Sequence, residues 1–234
     1  MRVSLATDPG SPQWANEDFA AVAAGTAVLL DGCTTRAPRE QDTGCVHGVA
    51  WFARTLGTTF LGLLTAVPAV PLADALATAI GDVRARHADT CDLTSPITPA
   101  ATVTAVRAVG DGLEYLALSD SSIAADPGGD APPLVISNRH KPASASPDAA
   151  WLAQTGTLPR DGLRGVALLS DGATRITDLF GLLSWEATVG VARDLGSAEL
   201  IRQVRAAEES DPDGARWPRG KSRDDATAVY WHLD

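Results

Sequence analysis

The sequence has no apolar run long enough to cross a bilayer. Its longest, Phe60 to Leu72, is interrupted by Thr65, Pro68 and Pro71, whereas a spanning helix takes about 20 apolar residues. The first eight residues, Met1 to Asp8, turn polar at once and contain no signal-type apolar stretch, so a cytoplasmic location is expected. Cysteine is scarce: Cys33, Cys45 and Cys91 cannot all pair, and no Cys-x-x-Cys occurs, which leads us to expect reduced thiols. Cys45-Val46-His47 has the form of half a zinc site, but no second half with matching spacing is visible and no zinc is expected. Positive charge is short as well. Nineteen Lys and Arg face 29 Asp and Glu, a formal net charge of −10, which argues against nucleic acid or an anionic membrane as a partner. Long linkers, low-complexity tracts and internal repeats are also missing, so residues 1–234 read as one domain.

What is present alternates strand with helix signals. Extended segments are expected at Val3–Ala6, Phe19–Ala23 and Ala27–Leu30. A polar loop, Thr34–Thr43, leads to two helical patterns: Val49, Phe52, Leu56, Phe60 and Leu63, then Leu72, Leu76, Ile80 and Val83. Thr102–Val109 and Leu113–Leu118 flank Gly110-Asp111-Gly112 as a hairpin. Pro133–Ser137 and Val166–Leu169 read as short strands, inside and after a turn-rich stretch from Ala125 to Pro147. Helices are expected at Ser184–Leu195 and Ser197–Glu209, each opened by a capping serine, and Thr227–Leu233 closes as a strand. This order is not a regular βαβ series. It predicts an α+β fold: a four-layer α-β-β-α sandwich of two antiparallel sheets flanked by helices.

Aspartates recur where strands end. Asp31-Gly32 follows Ala27–Leu30, Asp171-Gly172 follows Val166–Ser170, Asp120 ends Leu116–Ser119, and Asp224-Asp225 precedes the last strand. Carboxylates on rigid strand ends suit hard cations such as Mg²⁺ or Mn²⁺. Asp-Gly is also the commonest turn dipeptide, and Asp111-Gly112, Asp161-Gly162 and Asp213-Gly214 are read as plain turns.

Taken together the pieces resemble the type 2C metal-dependent protein phosphatases, the PPM family. Asn16-Glu17-Asp18-Phe19 is similar to that family's N-terminal acidic motif, and Leu29-Leu30-Asp31-Gly32 to its first metal-binding strand end. Ala101–Val106 with Leu116–Ser121 resembles its central hairpin, His140-Lys141-Pro142 the segment before its flap, and Leu169-Ser170-Asp171-Gly172 its second metal motif. Ser222–Thr227 resembles its terminal Asp-Asn-x-Thr element. The resemblance implies two Mn²⁺ or Mg²⁺ ions at one buried acidic site, with a third, weaker position. Asp31 would bridge the pair and the Gly32 carbonyl would bind one of them. Asp171 and Asp224 would complete the first ion, Glu17 and Asp18 would act through waters, and Asp120 with Asp171 would hold the third. It further implies hydrolysis of phosphoserine or phosphothreonine monoesters through a water held between the metals, with a phosphorylated protein as substrate and a kinase-regulated partner.

The departures matter. The family's phosphate-gripping arginine is replaced by Gln13, for which Arg36 or Arg39 would have to substitute. Cys33-Thr34-Thr35 replaces a glycine pair, Ser119-Asp120-Ser121 stands for Gly-Asp-Ser, and Asp225 for asparagine. Cys33 reads as a small filler, His47 as a surface or satisfied histidine in preference to a general acid, for which it is the best-placed candidate, and Trp151 and Leu152 as flap anchors. Trp51, Trp185 and Trp231 read as core, while Trp14 and Trp217 could wall a cleft or pack. The basic run Arg216–Lys221 either attracts an anion or is a solvated loop. The competing readings are a catalytically weak pseudophosphatase acting as a binding or regulatory module, and an enzyme for a small phosphorylated metabolite.

Overall fold

A computed structural model describes residues 2–33, 45–95, 98–128, 131–138 and 146–233. One antiparallel sheet contains β2 (Asp18–Ala23), β3 (Thr26–Cys33), β4 (Ala100–Val109), β5 (Gly112–Leu118) and β8 (Gln154–Pro159), in the order β2-β3-β4-β5-β8. The other contains β1 (Arg2–Asp8), β6 (Ser122–Asp126), β7 (Leu134–Ile136), β9 (Gly165–Leu169) and β10 (Ala226–His232), in the order β1-β10-β9-β6-β7. Helices α1 (Gly48–Ala66) and α2 (Leu72–His87) cover the first sheet; α3 (Asp171–Asp178), α4 (Trp185–Asp194) and α5 (Ser197–Ser210) cover the second. The expected four-layer sandwich is what the chain forms.

Side-chain alternation explains the layering. In β3, Val28 and Leu30 face α1 and α2, while Ala27 and Leu29 face the other sheet, where Ile123, Leu168, Val229 and Trp231 meet them. A strand buried on both faces reads as a continuous apolar run, and Ala27–Leu30 is fully buried. Helix α1 buries Val49, Phe52, Leu56, Phe60 and Leu64, one stripe at helical spacing. On the opposite sheet, Tyr230 donates to Asp126 Oδ2 at 2.7 Å, and Arg193 of α4 reaches the same oxygen at 3.0 Å. That buried carboxylate ties a strand, a tyrosine and a helix together.

Several local expectations are corrected. The Ala125–Pro147 stretch begins inside β6, which sequence reading missed, as it missed β8 and α3. Ser184 caps α4, accepting from the Ala187 amide at 3.3 Å, but Ser197 does not cap α5. Gly196, at φ +94°, holds the cap position, and Ser197 instead donates two hydrogen bonds to Ser4 of β1, from its amide and its hydroxyl. Trp151 and Leu152 are exposed; the 3-10 turn Pro147–Leu152 is anchored on the α2 side by Ala149 and Ala150. Trp231 is buried, whereas Trp51 and Trp185 are half-buried. Arg36, Arg39, His140, Lys141 and Pro142 lie outside the described residues.

Phe60 fills the middle of the α1 stripe with no solvent contact. Replacing it with alanine is expected to lower unfolding free energy by about 3–5 kcal/mol, read from urea denaturation. A loss below about 1 kcal/mol would contradict the packing of α1 on β3.

Candidate functional site

Register builds the acidic cluster. In the β2–β3 pair Asp18 stands directly opposite Asp31. Asp171 comes from the other sheet: it follows β9, with Ser170 as the residue before the first turn of α3, and so sits at the positive end of that helix. Asp224 and Asp225 immediately precede β10, the strand beside β9. The two sheets thus deliver carboxylates to one seam.

Close backbone approach explains both Asp-Gly pairs. A Cβ on Gly172 would lie 1.9 Å from the Asp225 carbonyl oxygen, and one on Gly32 would lie 2.5 Å from Val49 Cγ1 and 2.6 Å from the Glu17 carbonyl oxygen. The Gly32 amide also donates to that Glu17 carbonyl at 3.1 Å. These glycines let segments touch, so the pairs are not plain turns.

The floor of the site is enclosed. Both Asp18 oxygens are buried and have no hydrogen-bond partner among the described residues. Burial pushes the Asp18 carboxyl up to about 7, Thr227 and Ser170 temper the rise, and Asp225 and Asp171 add to it. The tempering hydroxyls are engaged elsewhere: Thr227 Oγ1 lies 2.7 Å from Thr7 Oγ1, and Ser170 Oγ accepts from the Thr227 amide at 2.9 Å. Burial, then the charges of Asp18, Asp171 and Asp224, hold the Asp31 carboxyl well above its ordinary 3.8. Asp171 is raised too, by enclosure and by Asp224 and Asp120, against Arg175. Its side chain opens to water, however, so the neighbouring charges are the durable part of that rise. The expected buried site is therefore a buried floor with an open side. A cleft of about 460 Å³ extends from Asp171 and Asp120 along Thr174, Arg175, Asp178 and Trp185.

Three residues at the site depart from their sequence reading. Asp225 does not simply add charge: its oxygens accept from the Gly10 and Glu17 amides, each at 2.7 Å, and so fix the segment carrying Glu17 and Asp18. Asp224 accepts from Arg175 at 2.8 Å and Lys221 at 2.7 Å. Arg175, which sequence reading passed over, is held from behind by the buried Glu208 at 2.9 Å; its position one helical turn after Asp171 was the available signal. Cys33 is exposed at the end of β3 and fills no core space.

Other candidates are drawn elsewhere. His47 stacks on Trp51, with ring centroids 4.2 Å apart. Trp217 packs on Phe180 under the Arg216 guanidinium, and Trp14 is exposed. The basic run is largely neutralised from within, Arg219 pairing with the buried Asp211 at 2.8 Å. Gln13 is exposed on the segment before Glu17. Asp120 sits on the cleft wall, with Ser119 Oγ 3.2 Å from its Oδ1.

The donor set fits hard divalent cations. It consists of carboxylates, one of them orphaned, with Gly32 allowing close backbone approach. Asp224 is paired with two cations, and Arg175 or Lys221 would have to yield an oxygen there.

Asp18 keeps its proton to about pH 7 in the fold and loses it near 3.9 when unfolded. The folded chain therefore binds more protons across that window, and stability falls as pH rises through it, levelling above about 7. In chelator, wild-type protein is expected to lose more urea resistance between pH 5 and pH 8 than Asp18→Asn. An equal pH response in both would contradict the enclosure of Asp18.

By sequence, no family model and no curated protein matches the chain. By structure, the Ser-Thr phosphatase MsPP of Mycobacterium smegmatis, solved with cacodylate, aligns at TM-score 0.65 and 16% identity, over 100% of this chain and 99% of that one. The catalytic domain of the serine/threonine phosphatase PstP, in complex with two manganese ions, aligns at TM-score 0.60 and 16% identity over 99% and 97%. Stp1 of Staphylococcus aureus aligns at 0.63 and 12% over 99% and 94%. At these identities the likeness is one of architecture: the chain has the fold of the PPM-type serine/threonine phosphatases.

Proposed function

We propose that this chain is a divalent-cation-dependent phosphatase acting on phosphoserine or phosphothreonine in a cytoplasmic protein. The observation that supports it most directly is the orphaned Asp18 carboxylate, facing Asp31 across β2–β3 and joined by Asp171 from the other sheet. Such a concentration of like charge disfavours itself without a cation to bind. Asp31, Asp171 and Asp224 would be the principal ligands, with the Gly32 carbonyl, and Glu17 and Asp18 would orient the surrounding waters. Asp120, with Asp171, would serve a third and weaker ion. Mn²⁺ or Mg²⁺ bound there would lower the pKa of a water and neutralise phosphoryl oxygens.

The chain's own residues set the remaining terms. Asp225 holds the Glu17 segment through two amides. Arg175 stands at the cleft wall with Glu208 behind it, a fixed positive charge beside the open side where a phosphate would enter. Trp185 offers an apolar wall to the residue carrying that phosphate. Gln13 supplies no charge, which predicts weak capture of phosphate.

The pseudophosphatase reading draws on that same Gln13. Hydrolysis of p-nitrophenyl phosphate with Mn²⁺ decides between the two. Activity should require the metal, and Asp31→Asn should reduce kcat/KM by more than about 100-fold, beyond what disturbing the support of a metal site costs. Folded, Mn²⁺-loaded protein with no turnover above that variant would leave a binding module. If capture is limited by the missing charge, Gln13→Arg should lower KM about tenfold with kcat little changed, the worth of one charge-assisted hydrogen bond. An unchanged KM would assign phosphate capture to other residues.

A further inference from the structure

Cys45-Val46-His47 lacks a matching half in the sequence, but the helical hairpin supplies one. Helices α1 and α2 are joined by five residues, and the end of α2 returns beside the start of α1. His87 is the last residue of α2, and the turn after it bends Cys91 back, its amide donating to the His87 carbonyl at 3.0 Å. Cys91 Sγ then lies 3.1 Å from Cys45 Sγ, and Cys45 Sγ lies 3.7 Å from His87 Nδ1. All three ligand atoms fall within 4.8 Å of one another.

A tetrahedral zinc ion with its usual bond lengths separates two sulfurs by about 3.8 Å and a sulfur from a nitrogen by about 3.6 Å. The Cys45–His87 sulfur–nitrogen edge is already present, and the Cys91–His87 edge is held within 4.8 Å. The sulfur–sulfur edge is short by less than an ångström, yet it is well beyond the roughly 2.05 Å of a disulfide bond. His87 is buried, which fixes its ring, while Cys45 and Cys91 are half-exposed.

We propose that Cys45, His87 and Cys91 form a zinc site separate from the carboxylate cluster. Two thiolates and an imidazole select a soft divalent ion and discriminate against Mg²⁺ and Mn²⁺, the reverse of the acidic site's preference. Among the described residues no fourth ligand joins the three, and the remaining side is bordered by His47, whose Nε2 is 3.5 Å from Thr90 Oγ1 and whose ring stacks on Trp51. The ion pins the chain where it enters α1. Two residues into that helix, Val49 packs where a Gly32 Cβ would stand, so the clamp sets the helix against the strand end that carries Asp31.

The test does not involve phosphate turnover and stands apart from it. Reduced, chelator-treated protein is titrated with Co²⁺ without oxygen. One equivalent should produce an intense sulfur-to-cobalt absorption in the near ultraviolet, abolished by one equivalent of Zn²⁺ and insensitive to excess Mg²⁺. Cys91→Ser and His87→Ala, checked for folding by circular dichroism, should weaken Co²⁺ binding by about tenfold or more, while Cys33→Ser and Asp171→Asn keep the band. Because the wild-type spectrum carries the result alone, a variant that fails to fold does not remove the test. Absence of the band, an unchanged Co²⁺ affinity in folded Cys91→Ser, or freshly purified zinc-free protein two hydrogens lighter than the reduced chain would overturn the proposal. The last result would identify a Cys45–Cys91 disulfide instead.

Discussion

Mutual repulsion among carboxylates at the seam of the two sheets is the constraint on which the rest of this molecule turns. Asp18 and Asp31 are locked opposite each other by strand register, and Asp171 is held by a helix start that cannot shift while Gly172 lies against the Asp225 backbone. Asp18 and Asp31 cannot relax by swinging out as a loop residue would. The surrounding architecture offsets this strain: two apolar layers on the flanks, a third between the sheets, and hydrogen bonds from Asp225 that tie the Glu17 segment down. A site of this kind trades stability for a poised ligand set.

Behind the cluster runs a chain of opposite charges. Asp224 meets Arg175, Arg175 meets Glu208, Glu208 meets Arg205 at 2.7 Å, and Arg205 meets Asp8 of β1 at 2.6 Å. Glu208 is fully enclosed between two guanidinium groups, which makes its charge tolerable in the interior. The chain links α3 and α5 to the edge strand, so Asp224, a candidate ligand paired with two cations, is also wired into the scaffold.

Much of this was legible in the residues. The strands leading to Asp31 and Asp171 followed from apolar runs closed by Asp-Gly, although β3 runs on past Asp31 to Cys33, and α1 followed from a stripe repeating every three to four residues. What escaped had weak local signals. β8 is an exposed edge strand, Gln154–Pro159, with little apolar alternation, and β6 is short and alanine-rich. Arg175 looked like an ordinary helix-surface residue because its partners, Asp224 and Glu208, lie 49 and 33 residues away. The cysteine–histidine cluster was invisible for the same reason: its halves are 42 and 46 residues apart, and only a helical hairpin of the right length unites them. Spacing rules find sites written in one segment, not sites made by a return of the chain.

The pairing of β1 with β10 has a consequence for how the molecule is made. Arg2 faces His232, and Asp8 faces Ala226, across nearly the whole length of the chain. During synthesis the sheet containing β2 to β5 and β8 can close on α1 and α2 once residue 159 has emerged. Strand β1, in contrast, has no sheet partner until residues 226–232 have emerged, and β9 lacks β10 until then. Contacts of such span form late. Because β10 also brings Asp224 and Asp225 into position, these two join Asp18 and Asp31 only after the half-molecule that holds that pair can fold, and the added repulsion is met at that later step.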